Sequence, residues 1–460
     1  MSKTAKLENK EIVADAKARI EALESDTANK NRFALIEQTY ETVLEIAFLC
    51  FDYDFIYNYC RFLEKQGNSK KANVAAKRLE EFCLQNSDEF DDGNLAQLYN
   101  LQAVICRSLS LNTEQEENCK KAIRLFEKLV KENPEKYNIS LANSYGELAC
   151  CYDYQGNANK AEYYYSKSNA ICEELASNNP EMYNADLARG YSNTGAFYEY
   201  QGDAKSAEDY YLKSIKIREE LISKEPEIYK SALAYSYNNI AGFYTDQRNI
   251  SQAEYYYSNA LKLREELADE NPNGFNEVLA QSYNDVGIFY KKISENEKAE
   301  YYYLKALKLR EAMCRKSPER YTAVLAESYN NIGAFYDAQK GDANQAEHYY
   351  LKAVKLREML VKENPEIYNS VLVGTYNDMG IFYKYQKDYE QAECYYRKSI
   401  KLCETLVKKN PVRYNVDLAM SYFNYGFLIR DRGYLDKALK LAKTRPDHPN
   451  CRRIIATLEG

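Results

Sequence analysis

Seven of the nine prolines stand at Pro134, Pro180, Pro226, Pro272, Pro318, Pro365 and Pro411, a step of 46 residues that lengthens once to 47. A tyrosine keeps the same beat at Tyr99, Tyr145, Tyr191, Tyr237, Tyr283, Tyr329, Tyr376 and Tyr422. A beat of this length marks an array of repeated supersecondary units, each stacked on its neighbours. Eight units in one register follow, and the 460 residues need not be divided into separate cores.

Each unit reads as two helices. In "NPEIYNS" (Asn364 to Ser370) the asparagine can cap a helix, the proline tolerates the first turn because it has no N–H to satisfy, and the glutamate favours the positive end of the dipole. A helix of about twenty residues should run from there to a break such as "YQGDA" (Tyr200 to Ala204), where glycine frees the backbone for a tight turn. A second helix then reaches the next Asn-Pro. The fold class is all-α, a solenoid of antiparallel helix pairs.

Composition narrows the function. With 28% charged and 45% apolar residues the chain should fold, and a net charge of −7 without a Lys/Arg block gives nucleic acid no phosphate track. Its polar start has no signal-peptide core, and no stretch approaches the ~20 apolar residues of a membrane span, so a cytoplasmic protein with no membrane partner is expected. Twelve cysteines without a CxxC pair read as reduced packing thiols, with no metal site.

Tyr329, Ile332, Gly333 and Tyr336, followed by Ala346, Tyr350 and Ala353, carry a resemblance to the tetratricopeptide repeat, with tyrosine where that family usually has tryptophan. The 46-residue unit exceeds the usual length of about 34, and in this, and in "YNNI" at Tyr237 and Tyr329, it resembles the kinesin-light-chain type. The resemblance implies a right-handed superhelix whose first helices line a concave groove for peptides or protein segments. It divides the chain into an N-terminal helical cap or docking region (1–51), degenerate units (52–133), six long units (134–410), and a truncated last unit with a capping helix (411–460).

No enzyme is expected. The two histidines, His348 and His448, have no register-specific surroundings, and neither a GxxxxGK[ST] loop nor a GxGxxG turn occurs, so no cofactor is expected. Glu265 and Glu266, in the "LREEL" run, read as part of a solvated face, Lys262 pairing with Glu266. The function expected is a non-enzymatic scaffold or adaptor, the alternative being a regulatory or sensor subunit of a separate peptidase or NTPase.

Two positions before the small Gly/Ala of each first helix stand Glu147, Asn193, Asn239, Asp285, Asn331, Asp378 and Asn424, and just before them Asn238, Asn284, Asn330 and Asn377. In the family an asparagine here bonds the backbone of a bound extended segment. The alternative is that these side chains satisfy groups of an adjacent helix, and both can hold in one repeat. The acidic members point to a basic or amide-rich partner. The trio in "AEYYYLK" (Ala299 to Lys305) spans too wide an arc to be one core stripe: its third tyrosine should fill the core, its second an adjoining helix, its first the solvent.

Overall fold

A computed structural model describes residues 3–26, 32–338, 342–409, 411–446 and 448–459. Among them are 21 helices and no strand. They begin with α1 (Lys3–Ser25), α2 (Arg32–Leu49), α3 (Tyr53–Lys65), α4 (Ser69–Gln85), α5 (Asp92–Ser108) and α6 (Asn112–Glu132). The regular pairs follow: α7 (Pro134–Tyr154) with α8 (Ala158–Asn178), α9 (Pro180–Gln201) with α10 (Ala204–Lys224), and α11 (Pro226–Asp246) with α12 (Ile250–Glu270). Then come α13 (Pro272–Lys292) with α14 (Asn296–Lys316), α15 (Pro318–Ala338) with α16 (Ala343–Glu363), and α17 (Pro365–Tyr385) with α18 (Tyr389–Lys409). The chain closes with α19 (Pro411–Ile429), α20 (Arg432–Ala442) and α21 (Pro449–Glu459). The fold is an all-α stack of helix pairs, as the period requires.

The helix ends follow from local chemistry. Asn133, Asn179 and Asn271 each accept the backbone N–H three residues on, with proline at the first helical position, which satisfies one of the donors that a helix leaves free. At Asn364 the side chain makes no such bond. Pairs turn through one left-handed residue, at Gly156 (φ 74°) and Gly202 (φ 80°) in two of them and at Arg248 (φ 57°), Ser294 (φ 66°) and Lys387 (φ 63°) in others. The Cβ of an L-residue is crowded there. Replacing Arg248, Ser294 and Lys387 together by glycine should stabilise the protein by about 0.5 kcal/mol per site once the entropic cost of glycine is subtracted; urea unfolding checks this, and unchanged stability would show that the turns carry no strain.

The chain divides into two compact units, Met1–Ser236 and Tyr237–Gly460, with the division inside α11. In the first, Val13 and Ile20 of α1, Ile36 and Ala47 of α2, and Phe55, Ile56 and Leu63 of α3 share one core. Further along it, Phe126 of α6, Leu148 of α7 and Tyr165 of α8 belong to a second cluster that also takes in Phe197 of α9. The second unit repeats one packing scheme: Tyr257 lies against Phe289, Tyr303 against Phe335 and Tyr350 against Phe382, with ring centroids 5.3–5.5 Å apart.

Each tyrosine of the trio has its own surroundings. The third is buried (Tyr165, Tyr211, Tyr257, Tyr303, Tyr350, Tyr396). It rests on the small residue of the first helix: a Cβ added at Gly287, Gly333 or Gly380 would come within 2.5–2.9 Å of the ring of Tyr303, Tyr350 or Tyr396. The second stacks on a first-helix tyrosine, as in Tyr164 on Tyr152, Tyr302 on Tyr290 and Tyr349 on Tyr336, with centroids 5.6–5.8 Å apart and planes within 20°. The first stays exposed at Tyr163, Tyr255 and Tyr301.

A ladder of phenol-to-carboxylate bonds ties α7, α9, α13, α15, α17 and α19 each to the helix before it. Tyr145, Tyr191, Tyr283, Tyr329, Tyr376 and Tyr422 donate to the glutamate 18 residues earlier at 2.5–2.8 Å. Tyr152, Tyr198, Tyr290, Tyr336 and Tyr383 donate to the glutamate 36 residues earlier at 2.5–3.1 Å, and Tyr425 donates to Glu393 at 3.1 Å. Glu265 keeps a solvated edge, its side chain 43% exposed, but it is also a member of this ladder. It is half-buried and accepts from Tyr283, with Lys305 at 3.3 Å.

Candidate partner-binding strip

The register places one amide or acid per first helix beside the small residue, and the helices are tied side by side at that level. In the second unit the Asn238 amide donates to Asp285 at 3.2 Å and the Asn331 amide to Asn284 at 3.3 Å. Asn377 donates to Ser421 at 3.0 Å, leaving its own buried Oδ1 without a partner. Asn330 accepts from Arg357 at 3.3 Å. These bonds satisfy neighbouring helices, as the alternative reading of the column requires.

The other members divide into braced and free. Glu147, half-buried, takes both carboxylate oxygens to Arg107 at 2.8–2.9 Å, and Asp285, half-buried, also accepts from Gln281 at 2.8 Å. Asn193 and Asp378 are exposed, Asn239 and Asn424 half-buried, and among the described residues none of the four makes a side-chain hydrogen bond. The buried amide nitrogen of Asn424 has no partner. One sequence column therefore holds both kinds: Glu147, Asp285 and Asn331 are braced, and Asn193, Asn239, Asp378 and Asn424 are free.

Four buried or half-buried arginines lie beneath this column, and the sequence reading missed them. Arg218, Arg264, Arg310 and Arg357 occupy one register position on the second helices, each donating to a hydroxyl 18 residues on: Ser236, Ser282, Ser328 and Thr375. Arg264 also reaches Asn238 at 3.3 Å and Arg310 reaches Gln281 at 2.6 Å. Burial lowers the pKa of Arg218 to about 10, helped by Arg189 and opposed by Tyr235, and it lowers those of Arg310 and Arg357. Burial likewise pushes Glu147, Asp285 and Asp378 up, opposed by Arg107, by Arg264 with Arg310, and by Arg357 respectively. Asp378 remains exposed, so its neighbours crowd it without sealing it. The signal for these arginines was the recurrence of "REE", "REA" and "REM" at the period, which composition alone assigns to solvent.

Chemistry elsewhere is sparse. Exposed His348 lies edge-on to Tyr349 at 5.2 Å, and His448 accepts a backbone N–H at 3.2 Å. All twelve cysteines are unpaired, nine of them buried. Among the described residues no three acidic, histidine or cysteine side chains gather as metal ligands, and no helix is long and apolar enough to cross a membrane.

Four stretches, 187–226, 233–273, 325–366 and 372–411, match the family described as tetratricopeptide repeat. No curated protein matches the chain. Among solved structures it is similar to BtubC (BKLC) from P. vanneervenii, at 24% identity over 53% of this chain and 89% of that one, TM-score 0.43. It is also similar to the apo quorum sensor NprR from B. thuringiensis, at 14% identity over 85% and 99%, TM-score 0.48. A third is aspartyl phosphate phosphatase F from Bacillus subtilis, at 14% identity over 85% and 92%, TM-score 0.45. Four units of the array are thus tetratricopeptide repeats, and the remaining units from Tyr99 to Tyr422 keep their register.

Proposed function

We propose that the protein is a scaffold that holds an extended segment of a partner protein along the polar strip of its first helices. The observation that carries this reading is the division of the column into free and braced members. At one register position, Asn193, Asn239, Asp378 and Asn424 have no side-chain hydrogen bond among the described residues, while at the preceding register position Asn238, Asn284, Asn330 and Asn377 are occupied in bracing. An amide offers a donor and an acceptor together, which matches the peptide groups of an extended chain. In the second unit such groups stand on α11, α17 and α19, so a bound segment would be held at several points. The braced members Asp285 and Asn331, and Glu147 in the first unit, supply edges already oriented by their own partners. Chemistry on a substrate has no place in this reading.

Changing Asn193, Asn239 and Asn331 together to alanine should abolish capture of the partner from a cell lysate by the full chain, while the circular dichroism spectrum stays that of the wild type. Undiminished capture by the triple variant would remove the strip from the binding site. If the captured partner is an enzyme, its activity measured with and without the chain separates a scaffold from a regulatory subunit.

A further inference from the structure

Charge is unevenly shared along the chain. Residues 1–100 carry thirteen Lys/Arg against eighteen Asp/Glu, whereas residues 401–460 carry twelve against six. One helix in each stretch presents an open face that bears the sign of its surroundings. On α1, Val13, Ala16 and Ile20 enter the core shared with α2. At the helical period the opposite face is Glu11, Ala14, Asp15, Ala18 and Ala22, all exposed. Neither Glu11 nor Asp15 makes a hydrogen bond or ion pair among the described residues. Beside this face an open groove of about 260 Å³ lies between α1 and α2, with buried Ala16 and Val43 among its walls and Ile12 (42% exposed), Asp15 and Arg19 along it. In a stacked array such a groove receives a helix of the neighbouring unit.

The basic counterpart is α21. It buries Cys451 and Ile454, and its opposite face is Arg452, Arg453, Ala456 and Thr457, all exposed. Among the described residues Arg453 meets the Met420 sulfur alone, at 3.6 Å. In the same stretch exposed Arg430 and Lys440 have no side-chain partner among the described residues.

We infer that the α1–α2 groove docks α21 of a second copy of this chain. The charges set the direction. With the two helices parallel, Glu11 and Asp15 face Arg453, and Arg19, one turn further on, faces the last turn of α21, where unsatisfied carbonyls form the negative end of the helix dipole. An antiparallel docking would set Arg19 against Arg453. Ala18 and Ala456 keep the contact narrow, which allows a close helix approach. Two α1 faces, or two α21 faces, would bring like charges together. The contact is therefore between unlike faces, and copies add in a closed ring or an open row. It makes no use of the polar strip, so either reading can fail alone.

Sedimentation equilibrium of the full chain tests this. At about 50 mM salt the weight-average mass should climb with concentration from 53.4 kDa toward twice that value or more, and about 500 mM salt should weaken the association about tenfold or more. The charge-reversal variants Glu11→Lys/Asp15→Lys and Arg452→Glu/Arg453→Glu should each remain monomeric at low salt, with the circular dichroism spectrum of the wild type. Mixed in equal amounts they should associate again, because each reversed face then meets its opposite. A wild-type chain that stays at 53.4 kDa at every concentration, wild-type association by either variant alone, or a mixture that stays monomeric overturns the inference.

Discussion

Raising the pH above 10 should unfold this protein abruptly. The twelve phenols of the Tyr–Glu ladder are all held above their ordinary value of 10. Burial is the leading cause, and the adjacent glutamate adds to it, as at Tyr329 beside Glu311 and Tyr383 beside Glu347. In the unfolded chain each would lose its proton near 10, whereas the folded chain keeps it. The unfolded state therefore binds fewer protons, and stability falls as pH rises through this window. The contribution is intact below pH 10 and is lost on the way up to the folded values, which for the similarly buried Tyr303 lie at about 12. Each phenol gives a slope of about 1.4 kcal/mol per pH unit once the unfolded form is ionised, so twelve give roughly 16. Ordinary stabilities of about 5–15 kcal/mol are exhausted within about one pH unit. Helicity at 222 nm and tyrosinate absorbance at 295 nm should change together in that interval. Gradual tyrosinate formation with helicity retained to pH 12 would mean that the ladder phenols are not protected by the fold.

The second large effect separates tyrosines two residues apart. Tyr303→Ala should cost about 3–5 kcal/mol, the range for deleting a buried aromatic, because it opens a cavity between Gly287 and the Phe335 ring. Tyr301→Ala should cost about 0.5 kcal/mol or less, since that ring is 54% exposed and, among the described residues, has ring contacts with Tyr302, edge-on, and Lys305. Urea unfolding of both variants reads the difference. Similar costs for the two would show that the trio packs as one cluster, against the division into core, stacking and solvent positions.

Those divisions were legible in the sequence because they are periodic. Pro272 and Pro318 mark helix starts, and Tyr303, four residues after Ala299, falls in the core slot whatever its neighbours do. The arginines escaped because burial of a charge depends on a partner on another helix. Arg264 is received in the interior by Ser282 and Asn238, and those contacts lie 18 and 26 residues away in opposite directions. The bond from Tyr283 to Glu265 was hidden for the same reason, Tyr283 sitting on the next helix. The split within the Asn/Asp column was likewise hidden. Asn238 and Asn239 are adjacent and chemically identical, and only the angle between them on the helix sends one toward Asp285 and leaves the other free.

The constant offsets of the phenol bonds have a consequence for how such a chain can change over generations. Excising residues 272–317 would join Asn271 to Pro318, restoring the same helix-start dipeptide, and would bring Tyr329 to the offset of Glu265 and Tyr336 to that of Glu254. Every joint accepts the next in line. Loss or duplication of a whole 46-residue segment is then a lengthening or shortening in kind, so the reach of the molecule can be inherited and selected separately from its fold.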